Sequence, residues 1–226
     1  MVHEPNPGFL HPALFPASAR FHEYVPEPGA HELANYATLD PREQVLVENS
    51  VVSRKAEFGD ARFCAHEALK KLGRDSNEPI LKGDRGMPVW PTPVVGSLTH
   101  TDGLRAAVVA PRLLVRSLGL DVEVEEPLPR GVLSSISVES ERPQLERLRA
   151  AGVSCPDKVL FSAKEAIYKS WFPVTHRWLG FEQAEVEIRD DGSFVAFLRI
   201  RPTPVSFIAG KWCVRNGYVI ATTAIV

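Results

Sequence analysis

The stretch Leu118-Gly119-Leu120-Asp121-Val122-Glu123-Val124-Glu125 constrains this chain more than any other. Its aliphatic residues alternate with a glycine and three acids, and a period of two specifies a strand. Alternation sends Leu118, Leu120, Val122 and Val124 to one face and sets Asp121 and Glu123 side by side on the other. Two anionic oxygen donors on one rigid strand suit a hard divalent cation. Taken alone, the same pattern also describes an edge strand whose acids face water.

Other stretches decide between those readings. Asp157 to about Phe172 has helical periodicity, with Leu160, Ala163, Ala166, Ile167, Ser170 and Trp171 as its apolar stripe. Glu165 lies about 200° around that helix from Ala163, off the stripe, and Lys169 is one turn further on. An ordinary surface pair is the plain reading of Glu165 and Lys169. Beside the acid strand, Glu165 becomes a third candidate metal ligand or a general base, and Lys164 and Lys169 become candidate phosphate contacts.

A basic set, Arg54, Lys55, Arg62 and Lys82, lies upstream. Asp40-Pro41-Arg42-Glu43 starts a helix, with Asp40 as cap and Val45, Leu46, Val51 and Val52 as its buried side. Gly59-Asp60 interrupts it, and Asp60 caps a second helix that stops at Gly73. On this reading Arg54 and Lys55 end one helix and Arg62 begins the next. A helix start with neighbouring cations favours phosphate, although a solvated charged face fits as well. Ser97-Leu98-Thr99-His100 puts hydroxyls beside an imidazole at a strand end.

The remaining elements follow from punctuation. Residues 1–38 read as an irregular arm anchored by Phe9, Leu10, Phe15 and Phe21, and residues 74–93 as a loop. Val94–His100 and Arg105–Ala110 form a hairpin, residues 127–150 a turn and helix, and two more hairpins cross Asp191-Gly192 and Asn216-Gly217. The order is helices then strands, twice over. It implies an α+β fold with two similar lobes joined near residue 118.

Composition closes off several classes. A formal net charge of -2 argues against a general nucleic-acid binder, so any basic site is local. Cys64, Cys155 and Cys213 form neither a disulfide framework nor a zinc motif, which fits a reducing cytoplasm. No signal peptide and no apolar run of membrane-spanning length is present, so no membrane partner is expected. The chain has no GxxxxGK[ST], GxGxxG or GxSxG motif, which argues against a P-loop enzyme or a serine-triad hydrolase.

In order, these pieces resemble the 4′-phosphopantetheinyl transferases of the larger Sfp/EntD type. Gly86-Met87-Pro88-Val89-Trp90 with Ser97-Leu98-Thr99-His100 is similar to the first family motif. Leu118-Gly119-Leu120-Asp121-Val122-Glu123 is similar to its (I/V)G(I/V)D(I/V)E strand. Phe161-Ser162-Ala163-Lys164-Glu165-Ala166 with Lys169 is similar to its WxxKEAxxK helix, some forty residues on. Thr99 stands where many members carry Ser, Ser97 where many carry Asn, and Phe161 where Trp is usual. The stretches around Arg54-Lys55, Arg62 and Trp178-Leu179-Gly180-Phe181 look most like actinobacterial members.

The resemblance implies two lobes related by a pseudo-twofold, 1–117 and 118–226, with coenzyme A in the cleft between them. It implies transfer of phosphopantetheine to a serine of apo acyl or peptidyl carrier proteins, with Mg²⁺ as cofactor and 3′,5′-ADP released. Asp121, Glu123 and Glu165 would hold the metal, and Glu165, Lys169 and His100 would be catalytic. Arg54, Lys55, Arg62, Lys82, Gly83, Thr99, His100, Asp121, Lys164 and Lys169 would bind coenzyme A, with Tyr168, Trp171 and Phe181 along the pantetheine arm. Two lobes in one chain build the cleft internally, so a monomer is expected. The alternatives are another Mg²⁺-dependent enzyme acting on a nucleotide diphosphate, and a non-catalytic relative that binds coenzyme A or a carrier.

Overall fold

Two helices of 20 residues each organise the chain, and each carries its own sheet. The computed structural model describes residues 8–27, 29 and 31–226; residues 1–7 of the expected arm lie outside the described residues. The elements are β1 (Arg20–Tyr24), α1 (Ala34–Ala37), α2 (Pro41–Gln44), α3 (Val52–Lys71), β2 (Leu81–Lys82), β3 (Pro88–Val89), β4 (Val94–Thr101) and β5 (Leu104–Pro111). They continue with β6 (Ser117–Val124), α4 (Val132–Ile136), α5 (Arg142–Ala150), α6 (Pro156–Thr175), β7 (Ala184–Ile188), β8 (Ser193–Leu198), β9 (Phe207–Arg215) and β10 (Tyr218–Ile225).

The strand orders are β1-β5-β4 and β6-β10-β9-β8-β7, with β2-β3 as a separate pair. The first three strands of each sheet share one connectivity: an opening strand, a long helix, and a hairpin whose second strand pairs antiparallel with the opening strand. The fold is α+β with two halves of like topology. The repeat differs from helices-then-strands, because each half opens on a strand. In the first half that strand is β1, inside the segment read as an irregular arm. Arg-Phe-His-Glu-Tyr carries no clean alternation because β1 is an edge strand buried only partly on either face. The arm's Leu10 and Phe15 are buried as anchors, and Phe9 packs edge-on against Tyr218 of β10.

The first half departs from the sequence reading in α3. Asp40 does cap α2, accepting from the Arg42 amide at 2.8 Å. That helix stops after one turn, and Val45, Val51 and Val52 are exposed rather than buried. Gly59 and Asp60 lie inside α3 and do not interrupt it. A Cβ at Gly59 would sit 2.6 Å from the Tyr36 amide nitrogen, so the glycine permits α1 to approach the helix. Asp60 accepts from the Asn35 side chain at 2.8 Å instead of capping. The helix ends as expected, with Gly73 at φ +74°. The 74–93 segment is not wholly loop, since Leu81 pairs with Val89 and Lys82 with Pro88.

In the second half α6 buries its expected stripe completely: Leu160, Ala163, Ala166, Ile167, Ser170 and Trp171 are all inaccessible. β6 is covered on both faces, not half-buried. Leu118, Leu120 and Val122 enter the core shared with β5 and the arm. The other face lies under α6, so closely that a Cβ at Gly119 would be 1.9 Å from the Ala166 carbonyl oxygen. The edge of β6 away from β10 meets β4 through side chains. Ser97 Oγ accepts from the Leu120 amide at 3.0 Å, and Thr99 Oγ1 from the Val122 amide at 3.1 Å. These two hydroxyls join the sheets and satisfy buried amides that no strand pairs with. Among the described residues no helix is long and apolar enough to cross a membrane.

Candidate active site

Because α3 is continuous, Arg54, Phe58 and Arg62 recur every four residues along one face. That face lines a cavity of about 330 Å³, together with Lys82 and His100; Glu165, Tyr168, Lys169 and Phe172 of α6 line the opposite wall. The chain thus brings cations from its first half against the acid and lysine of its second half.

The basic wall is crowded with like charge. Arg54 Nη1 is 3.2 Å from His100 Nε2 and pairs with Glu57 at 3.2 Å. His100 keeps exposed surface, yet desolvation, with Arg54 second, lowers its pKa and favours the neutral ring. Arg62 is 3% exposed, lies over the Phe58 ring at 4.7 Å, and is pushed down to about 10 by burial against the opposing pull of Glu43. Lys82 is lowered by desolvation and then by Arg54 and Arg62, with Nζ 5.3 Å from the Phe58 ring centre. Such a cluster is held for a polyanion.

The acidic wall shows the converse. Lys169 Nζ donates to Asp121 Oδ1 at 2.7 Å and to the Leu120 carbonyl at 3.0 Å. Asp121 Oδ2 is buried with no hydrogen-bond partner. Glu123 lies 3.5 Å from Lys158 Nζ. Desolvation raises the pKa of Glu123, and Asp121 adds to it. Glu165 is also raised, by desolvation first, then by Asp121, with Glu123 adding less. Among the described residues no three His, Cys, Asp or Glu side chains close into a ready metal cluster. The orphaned Asp121 oxygen and three mutually repelling carboxylates nevertheless fit a hard cation, which would relieve both.

Several expected site residues stand elsewhere. Lys164 does not line the cavity: its ammonium is buried, donating to Glu141 at 2.9 Å and to the Phe181 carbonyl at 2.8 Å. The residue faces the core side of α6 because it follows Ala163 on the stripe's flank. Thr99 is buried, and its hydroxyl oxygen accepts from β6 as described above. Gly83 closes the β2–β3 turn, its amide donating to the Met87 carbonyl at 2.8 Å, and neither it nor Lys55 lines the cavity. Trp171 is wholly buried, and Phe181 packs on Phe161 at 6.1 Å. Of the expected arm residues Tyr168 lines the cavity, and Phe172, Met87 and Phe58 complete its apolar wall.

Sequence reasoning also passed over Glu57, Phe58, Arg85 and Lys158. Phe58 and Glu57 were legible as the residues between Arg54 and Arg62 at i+4 and i+3, hidden once Gly59 was read as a break. Arg85 has φ 52° and sits 5.3 Å from the Trp178 ring, an arrangement that only the turn and the packing of the second half of the chain define.

Comparison with known proteins places the chain in a family. Residues 42–110 match the 4′-phosphopantetheinyl transferase N-terminal domain, and residues 117–223 match the 4′-phosphopantetheinyl transferase superfamily. The chain is 45% identical over 196 residues to the 4′-phosphopantetheinyl transferase PptT of Mycobacterium tuberculosis, covering 82% of this chain and 85% of that protein. It is 41% identical over 221 residues to 4′-phosphopantetheinyl transferase Npt of Nocardia iowensis, covering 92% and 94%. It is also 41% identical over 195 residues to 4′-phosphopantetheinyl transferase Svp of Streptomyces mobaraensis, covering 83% and 78%. With both halves matched and relatives of this identity along most of its length, the chain belongs to the 4′-phosphopantetheinyl transferase superfamily.

Proposed function

We propose that this transferase works in the cavity between α3 and α6, which takes coenzyme A across the boundary of two lobes, 1–117 and 118–226. The enzyme moves 4′-phosphopantetheine from coenzyme A to carrier proteins, as its family membership supports, and on this reading the acceptor is a carrier serine. The observation that carries the placement is the facing of Arg54, Arg62, Lys82 and His100 against Glu165 and Lys169 around one cavity.

On this reading Arg54 and Arg62 hold the 3′-phosphate, and Lys82 lies at the same end of the nucleotide. Neutral His100 donates to a phosphate oxygen without adding to the repulsion beside Arg54. Asp121, Glu123 and Glu165 would hold Mg²⁺, which supplies positive charge to the pyrophosphate. Lys169, already oriented by Asp121, adds a second cation there. The carrier serine oxygen attacks the β-phosphorus, the bond to the 3′,5′-ADP oxygen breaks, and the serine proton passes to Glu165. Desolvation raises Glu165 towards the range of a useful base, and such a base contributes about 10²–10⁴-fold. Tyr168, Phe172 and Met87 give the pantetheine arm an apolar wall. The partners are coenzyme A and apo carriers, and the enzyme acts as a monomer in the cytoplasm.

The test is to incubate the chain with Mg²⁺, coenzyme A and a panel of apo carriers and weigh each carrier. A gain of the phosphopantetheine mass is expected. Coenzyme A cleavage without a carrier would favour a nucleotide-diphosphate hydrolase, and tight binding without turnover a non-catalytic relative.

A further inference from the structure

Glu43 is the most deeply buried carboxylate outside the acidic wall, with no accessible surface, and nothing in the reaction uses it. It comes from the one-turn helix α2, yet it serves three other places in the chain. Its Oε1 lies 3.5 Å from Arg62 Nε. Its two oxygens lie 3.1 and 3.0 Å from His66 Nε2, one turn along α3 from Arg62. The Ile80 amide donates to Oε1 at 3.1 Å, just before the strand that carries Lys82. One buried charge therefore ties together α2, the arginine face of α3 and the approach to Lys82.

A buried guanidinium needs a counter-charge, and a flexible arginine needs a fixed one to hold a single orientation. Glu43 is the only carboxylate paired with Arg62 among the described residues. Arg62 Nε makes no hydrogen bond of its own, so the ion pair with Glu43 and the stack on Phe58 are what locate the guanidinium at the cavity wall. We propose that Glu43 is a positioning residue for coenzyme A, orienting Arg62 towards the 3′-phosphate from behind the cavity wall. The proposal rests on the reading of Arg62 as a 3′-phosphate contact. One effect opposes this: the Glu43 charge also subtracts from the positive potential of the cavity. Orientation outweighs it here because the Glu43 carboxylate is held by His66 Nε2 and the Ile80 amide and is paired with Arg62 itself, so its field falls mainly on the groups that it fixes.

The experiment measures kcat and KM for coenzyme A and for coenzyme A lacking its 3′-phosphate, with a saturating apo carrier. The variants are Glu43→Gln, Arg62→Gln and the pair. Glu43→Gln is expected to raise KM for coenzyme A about tenfold, the scale of one charge-assisted contact, with kcat and the dephosphorylated substrate little changed. In the Arg62→Gln background it should add nothing. Glu43→Asp, which keeps the charge one methylene further back, should recover part of the KM and carries the same comparison where Glu43→Gln does not fold. An unchanged or lowered KM, an equal rise for both substrates, or a full additional effect without Arg62 overturns the positioning role. If Arg62→Gln itself fails to distinguish the two substrates, the 3′-phosphate reading of Arg62 falls, and the proposal with it.

Discussion

Lys164 belongs to the KEA motif by sequence and to the core by structure, and Lys164→Met separates the two. Lys164 and Glu141 form an ion pair whose side chains are each 1% accessible. The lysine is held by Glu141 and the Phe181 carbonyl, and burial lowers its pKa against the pull of Glu141. Removing one partner of a buried pair costs about 3–5 kcal/mol, because the other charge is left without compensation. Glu141 would keep two backbone donors, the Val138 amide at 2.8 Å and the Val186 amide at 2.7 Å, which puts the expected loss near the low end, about 3 kcal/mol. For a chain of this size that is a fall of roughly 6–12 °C in Tm. Lys164→Met with Glu141→Gln, which removes both charges, should recover most of it. The assay is urea unfolding followed by tryptophan fluorescence, with KM for coenzyme A measured below the transition. KM should stay within about twofold, since the ammonium does not reach the cavity. A tenfold rise in KM with unchanged stability would refute the structural assignment and restore Lys164 to the coenzyme A site.

Three further outcomes follow. Thr99→Val keeps the shape but leaves the Val122 amide without its acceptor, so stability should drop by about 1–3 kcal/mol, read from denaturant midpoints, while KM for coenzyme A stays unchanged. Asp121→Asn should abolish carrier loading in the mass assay and keep the fold; Asp121→Ala is a poorer probe, because Asp121 is buried and paired with Lys169, and retained loading by Asp121→Asn would remove it from the metal set. His100 has a folded pKa below its ordinary 6.5, so the unfolded chain takes up the proton first. Its contribution is full above that value and is lost as pH falls through the folded pKa; the drop in midpoint between about pH 7.5 and about pH 5.5 should shrink in His100→Gln, and an unchanged drop would contradict the burial argument.

The acid strand, the KEA helix and both C-terminal hairpins were legible because their signals are local. A period of two marks β6, a complete apolar stripe marks α6, and Asn216-Gly217 supplies a tight turn. The first half was harder. β1 is a partly buried edge strand without clean alternation, and Gly59 carries a helix breaker's signature although it serves close approach to α1. That one misreading split α3 and concealed the spacing of Arg54, Phe58 and Arg62. The site was legible as a set of residue types, but the motif did not distinguish Lys169, whose ammonium meets Asp121, from Lys164, whose ammonium meets Glu141.

What the sequence determined by itself about β6 is its strand character and the two acids it carries, since alternation and residue chemistry are properties of neighbours along the chain. It left open whether those acids face water or protein. Only the tertiary structure decided that: α6 covers the acid face so closely that position 119 has no room for a side chain, β4 closes the free edge through Ser97 and Thr99, and Lys169 answers Asp121 from 48 residues away. The reason is physical. Desolvation, counter-charge and an orphaned oxygen depend on what is packed nearby, and packing partners at this distance leave no period in the sequence.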